Sequence, residues 1–313
     1  MPQMIKSNIN KKKKFLLSCV FLLLLVYSVQ GVMYHFFSKK QSDVFANRKK
    51  PLVIAHQGGE LLAPADTLAA FEKAHRLNVD VLELDIHMTK DGHLVTIHDD
   101  TVDRTTNGKG RVDELSLKEL QRLDAGYRFK DLKGEYSFRG KGVYIPTLDE
   151  VFSKYGKDHY FNIEIKDAYP LKGKSQIEHK LWQLIQKHKL EKKVVVTSFE
   201  DDIVDRFIEE SKGETGIGAS LAEVAQFVIL NQLWLDGLYR PSAHVIQIPI
   251  EYSGMNLKDK SLIDAAHRLN MQVHYWTIDD KKTMKELIQL GADGIITNRP
   301  DLLKEVVSEM KLK

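Results

Sequence analysis

VLELDIHM (81–88) and YFNIEIK (160–166) are the stretches on which the fold reading turns. Successive strand side chains point to opposite faces, so Glu83, Asp85 and His87 share one face of the first while Leu82, Leu84 and Ile86 share the other. In the second, Asn162, Glu164 and Lys166 face one way and Phe161, Ile163 and Ile165 the other. The aliphatic faces call for a cover of helices. The opposite faces carry carboxylates, whose burial is costly unless their charge is met.

Outward from these two strands the same rhythm continues. Strands are expected at 52–56, 93–98, 194–199, 215–220, 245–250, 272–278 and 294–297, and helical periodicity runs through 65–77, 175–188, 202–211, 262–269, 282–291 and 301–310. This is a βα succession of TIM-barrel length with no Gly/Pro/Ser-rich linker to divide it, and the fold expected is α/β, a (β/α)8 TIM barrel over 51–313. The rival, an open doubly wound sheet, lacks its fingerprint: the first βα junction, AHQGGELLAP (55–64), does not have the GxGxxG spacing. The stretch 99–146 is too long for a simple loop and is expected as a small insertion after the third strand.

The N-terminus reads differently. Residues 15–37, FLLSCVFLLLLVYSVQGVMYHFF, contain no Asp, Glu, Lys or Arg, long enough for one transmembrane helix. The expected plan is a cytoplasmic basic tail (1–14), a transmembrane anchor (15–37), a polar stalk (38–50) and the barrel. That plan makes the membrane a partner and the protein a single-pass cell-membrane protein, its barrel domain extracellular. The first fifty residues hold ten Lys/Arg against Asp43 alone, so the overall charge of +3 leaves the remaining chain acidic, without an electrostatic footprint for nucleic acid. The sole cysteine, Cys19, lies in the apolar run, so the barrel is held by packing rather than by disulfides. No protein partner is indicated.

Three carboxylates, Glu83, Asp85 and Glu164, therefore point into a barrel interior. A divalent cation with oxygen ligands, Ca2+ or Mg2+, accounts for them, and so does an internal ion-pair cluster with Lys166, Arg104 or Arg111. His56 and His98 end the first and third strands, which puts two imidazoles at the carboxylate rim if all strands run parallel, an arrangement suited to acid/base catalysis. Trp276 is inward by parity with Gln272 and His274, either walling a leaving-group pocket or simply packing.

The motifs resemble the glycerophosphodiester phosphodiesterase family along nearly all of 51–305. AHQGG (55–59) is similar to the family's AHRGG, and LAPADTLAAF (62–71) to its APENTLAAF. ELDIHMTKDGHLVTIHDDTVDRTTNGKG (83–110), IPTLDEVF (145–152), VHYWTIDD (273–280) and GADGIITNRPDLL (291–303) follow in the family's order. The resemblance implies Glu83, Asp85 and Glu164 as metal ligands, His56 and His98 as the catalytic pair with His56 as base and His98 as acid, and Lys166 as a phosphate-neutralising group. It implies hydrolysis of glycerophosphodiesters such as glycerophosphocholine to an alcohol and sn-glycerol 3-phosphate. Alternatives are lysophospholipase D-like or polyglycerol-phosphate hydrolysis, and a non-catalytic phosphodiester-binding barrel. The sequence departs from the family at Gln57, where Arg is usual, and at Ala65 and Asp66, where Glu and Asn are usual. Gln57 keeps hydrogen-bonding capacity toward substrate but not a fixed charge.

Overall fold

The computed structural model describes residues 14–15, 17–18, 20–21, 25–26, 28–33, 44–45, 51–171 and 173–311. Its strands are β1 (Leu52–Ala55), β2 (Val81–Met88), β3 (Leu94–Thr96), β4 (Tyr160–Ile165), β5 (Val194–Thr197), β6 (Gly216–Ile217), β7 (Val245–Ile248), β8 (Glu251–Tyr252), β9 (Met255–Asn256), β10 (Gln272–Tyr275) and β11 (Gly294–Thr297). The sheet order β6-β5-β4-β2-β1-β11-β10-β7 is parallel throughout, and a parallel bridge from Gly218 to Val245 brings its two edges together. The eight staves thus form the expected barrel.

The helices are α1 (Leu68–Arg76), α2 (Leu117–Leu120), α3 (Leu148–Tyr155), α4 (Ile177–His188), α5 (Asp201–Ser211), α6 (Leu221–Gln232), α7 (Lys260–Arg268), α8 (Lys281–Leu290) and α9 (Pro300–Glu309). Local sequence starts them: in PTLDE the Thr147 hydroxyl accepts from Glu150 N–H while Glu150 returns a bond to Thr147, a capping box that opens α3. Leu82, Leu84, Ile86, Phe161, Ile163 and Ile165 all lie in the main core between staves and helices. The insertion has a small core of its own, in which Val102, Val112, Leu120, Ala125 and Ile145 pack on Val95 and Ile97.

The third strand differs from expectation. β3 runs antiparallel to β2, pairing Ile86 with Thr96 and Met88 with Leu94, and is not a stave. The chain reverses at Asp91–Gly92, where Gly92 has φ 82°, so the segment folds back along β2 and returns His98 to the rim from outside the barrel.

The expected anchor over 15–37 is corrected. Among the described residues no helix is long and apolar enough to cross a membrane. Gln30, inside the apolar run, is 8% exposed and docked on the barrel side: its Nε2 donates to Trp234 O at 2.6 Å and its Oε1 accepts from Gly237 N–H. The membrane partnership and the single-pass extracellular placement fall with the anchor. Apart from Lys14, Val44 and Phe45, the basic tail (1–14) and the stalk (38–50) lie outside the described residues. Val44 and Phe45 are buried in the barrel-interior cluster with Ile54, Val81, Val195 and Ile296.

His274 sits beside Phe45, ring centroids 5.8 Å apart, with no exposed surface. Its Nε2 donates to Gln272 Oε1, Nδ1 has no partner, and burial lowers its pKa to about 4. The neutral ring is the form the fold accepts, so this stability is fully present above the unfolded value of 6.5 and is lost as pH falls toward about 4. His274→Leu is expected to remove that part of the acid sensitivity. From pH 7 to pH 5 the parent should lose about 2 kcal/mol more than the variant in urea unfolding; equal losses would rule it out.

Candidate active site

The site is assembled at the C-terminal rim of the staves. β2 and β4 run in register, Glu83 opposite Asn162 and Asp85 opposite Glu164, so their inward side chains stand at matching heights. Ligand oxygens of Glu83, Asp85 and Glu164 all lie within 4.8 Å of one another. Burial, then the charge of Asp85, raises the pKa of Glu83 well above the carboxylate range, and the same two causes raise that of Glu164. The trio is short of positive charge. Lys166 supplies one unit: its Nζ lies 2.8 Å from Glu164 Oε1 and 3.6 Å from Asp85 Oδ1. Burial works against that ammonium, but Asp85 and Glu164 outweigh it and raise its pKa.

Both histidines reach the same mouth, each oriented through Nδ1. His56 Nδ1–H donates to Asn298 Oδ1 at 2.6 Å, and Asn298 is clamped by Asp279, which accepts from its Nδ2 at 2.9 Å and its backbone N–H at 2.8 Å. His98 Nδ1–H donates to Asp99 Oδ1 at 2.8 Å, and Arg104 grips both Asp99 oxygens at 2.7 and 2.9 Å. Burial opposes the Asp99 charge, yet Arg104 and His98 hold its pKa at about 2. His98 Nε2 then lies 3.3 Å from Lys166 Nζ. Beneath it, buried His87 donates from Nε2 to the His98 carbonyl and accepts at Nδ1 from the Tyr169 hydroxyl. Burial lowers the His87 pKa, in keeping with a neutral ring.

Gln57 adopts φ 49°, ψ 33° just after β1 and is 2% exposed. Its N–H donates to Glu83 Oε2 at 2.6 Å and its Nε2 to Asp85 Oδ2 at 2.9 Å. Asp66, also buried, accepts the Asp85 N–H, and burial followed by the charges of Asp85 and Glu83 raises its pKa well above the usual range. Trp276 meets Phe199 edge-on at 6.1 Å on the wall of a 570 Å³ cavity. That cavity joins His56, Glu83, His98, Glu164 and Lys166 to an apolar wing between α6 and the β8–β9 hairpin.

The structure therefore brings together all eight residues singled out from the sequence. Sequence reading passed over Asn298, Asp279 and the role of Asp99. Their signal was positional: Asn298 directly follows β11 as His56 directly follows β1, and polar residues at stave ends face a barrel's active mouth.

A parallel eight-stave barrel carrying acid/base-capable histidines over buried carboxylates defines a class, the TIM-barrel hydrolases. Within it, the chain belongs to the glycerophosphoryl diester phosphodiesterase family, whose sequence profile matches residues 56–302. It hydrolyses glycerophosphodiesters. A glycerophosphodiester phosphodiesterase of Caldanaerobacter subterraneus subsp. tengcongensis is 36% identical over 265 residues, 82% of this chain and 98% of the relative. An Oleispira antarctica phosphodiesterase, solved in complex with the product sn-glycerol-3-phosphate, is 25% identical with a TM-score of 0.63, over 83% of this chain and 97% of that one. The glycerophosphoryl diester phosphodiesterase domain of an uncharacterized protein from Mycobacterium tuberculosis shares the fold, with a TM-score of 0.72 at 18% identity over 83% of this chain and 99% of that one.

Proposed function

We propose that this enzyme cleaves glycerophosphodiesters to an alcohol and sn-glycerol 3-phosphate with a divalent cation, Ca2+ or Mg2+, held by Glu83, Asp85 and Glu164. The observation that carries the reading is the crowding of the buried trio: three carboxylates with ligand oxygens within 4.8 Å of one another share a site with the ammonium of Lys166, an excess of acidic groups over positive charge that a divalent ion would relieve. When bound, such an ion supplies electrophilic stabilisation of charge on the phosphoryl oxygens. Lys166 adds a fixed positive charge for the same phosphate. His56, held by a neutral amide at Nδ1, suits the base that takes a proton from the attacking oxygen at Nε2. His98, held by an anion at Nδ1, suits the acid that gives a proton from Nε2 to the leaving alkoxide. Trp276 borders the substrate as a wall for the leaving group, while Gln57 lies behind the carboxylates, bonded to Glu83 and Asp85.

The purified full chain, assayed for choline release from glycerophosphocholine, is expected to lose about 10³-fold in rate on stripping with EDTA and to recover on adding back Ca2+ or Mg2+, since several kcal/mol of charge stabilisation is at stake. Undiminished turnover by the stripped protein would end the metal-dependent reading.

The apolar wing of the cavity favours a second reading on lipid-like substrates. Leu221, Val224 and Ile229 of α6 face Tyr252 and Met255 of the hairpin across it. A single acyl chain of a lysophospholipid would bury its methylenes there at roughly 0.8 kcal/mol each. Ile229→Asp, at a half-exposed rim position, should then lower kcat/KM for lysophosphatidylcholine and spare glycerophosphocholine. Equal effects on both substrates would remove the second reading.

A further inference from the structure

The carboxamide of Gln57 is tied to the carboxylate centre at two points, yet one of its atoms has no use within the protein. Its backbone N–H is fixed by Glu83 and its Nε2 by Asp85, while Oε1 is buried and accepts no hydrogen bond. Turning the amide by half a revolution does not cure this. Oε1 would then take the place of Nε2, 2.9 Å from Asp85 Oδ2, acceptor against acceptor. Neither orientation gives the oxygen a donor, and a buried amide oxygen without one is unfavourable. A positive charge between Gln57 and Asp85 resolves both problems. The 2.9 Å spacing also suits two neighbouring ligands of one calcium ion: oxygens about 2.4 Å from Ca2+ and about 72° apart, as in the equator of its pentagonal bipyramid, lie about 2.8 Å from each other.

We propose that Gln57 supplies a fourth, neutral oxygen to the cation at Glu83, Asp85 and Glu164, and that this residue weights the centre toward Ca2+ over Mg2+. This rests on the metal reading above. Amide carbonyls are ordinary Ca2+ ligands, and Ca2+ accepts a larger, more flexible set of protein oxygens. Mg2+ gives up its water reluctantly and gains less from one more neutral ligand. The backbone supports the role: the left-handed turn at Gln57 directs its N–H to Glu83 and its side chain to Asp85 at once.

The test is calorimetric titration of the EDTA-stripped full chain with CaCl2 and with MgCl2. Gln57→Met keeps the length of the side chain and the backbone N–H but removes the carbonyl. It is expected to weaken Ca2+ binding about tenfold or more and Mg2+ binding distinctly less. Gln57→Glu keeps an oxygen at the same place and is expected to bind Ca2+ at least as tightly as the parent, which guards the test should Gln57→Met fail to fold. Ca2+ affinity of Gln57→Met within twofold of the parent, or weaker binding by Gln57→Glu, would overturn the role of Gln57 while leaving the carboxylate site standing. A parent that binds neither ion would overturn the metal reading itself, and this inference with it.

Discussion

Glu83→Gln is expected to make the metal-free protein more resistant to urea and, in the same molecule, to lower hydrolysis of glycerophosphocholine by about 10³-fold. The two effects have one cause. Glu83 is 4% exposed and faces Asp85, whose charge together with burial makes its own ionisation unfavourable. Glutamine has the same shape and keeps an oxygen to accept the Gln57 N–H, now at 2.6 Å from Glu83. What it removes is a like charge from a crowded, buried trio, which relieves the fold. It also removes one of the charges that would hold a divalent ion, and the several kcal/mol of transition-state stabilisation lost corresponds to about three decades in rate. Denaturation in EDTA and an assay in saturating Ca2+ or Mg2+ read the two halves separately. A variant less stable than the parent would contradict the account of crowding. Activity within tenfold of the parent would contradict the assignment of Glu83.

The centre was readable from the chain because strand parity is a local property. Glu83 and Asp85 two residues apart, and Glu164 on a strand of the same period, face the same way whatever the rest of the fold does. The in-register pairing of β2 with β4 then adds what parity cannot state, that Asp85 and Glu164 are neighbours. The helices expected at 175–188, 202–211, 262–269, 282–291 and 301–310 were legible for a similar reason, since amphipathic period acts within a few residues, whereas the short α3 opened by the Thr147–Glu150 cap was passed over.

What escaped depends on the partner. HLVTIH (93–98) alternates like a stave, but direction is set by what a strand pairs with, and Asp91–Gly92 makes it return along β2. His98 consequently arrives at the rim by a reversed hairpin, not by the parallel strand from which its place was inferred. Asn298 and Asp279 come from the far end of the chain and meet His56 only because β11 pairs with β1. The anchor failed on composition: hydrophobicity and length describe lipid and protein surroundings alike, and the bonds from Gln30 to Trp234 and Gly237 are made to protein.

The division of labour between the histidines gives the other large effect. With glycerophosphocholine, whose leaving alkoxide needs a proton, His98→Gln and His56→Gln are each expected to cost about 10²- to 10⁴-fold in kcat, the range for a lost acid or base. A glycerophosphodiester with a nitrophenol leaving group separates them, because nitrophenolate departs unprotonated. If His98 is the acid, His98→Gln should recover to within about tenfold of the parent on that substrate, the remainder reflecting lost positioning. His56→Gln should stay deeply impaired, since activating the attacking oxygen does not depend on the leaving group. The surroundings differ too: Asp99, fixed by two bonds from Arg104, places a negative charge on the Nδ1 side of His98, set against the Lys166 ammonium 3.3 Å from its Nε2, whereas His56 has the amide oxygen of Asn298 at Nδ1. Recovery of His56→Gln instead of His98→Gln would reverse the roles, and recovery of neither would show that proton transfer to the leaving group does not limit the rate.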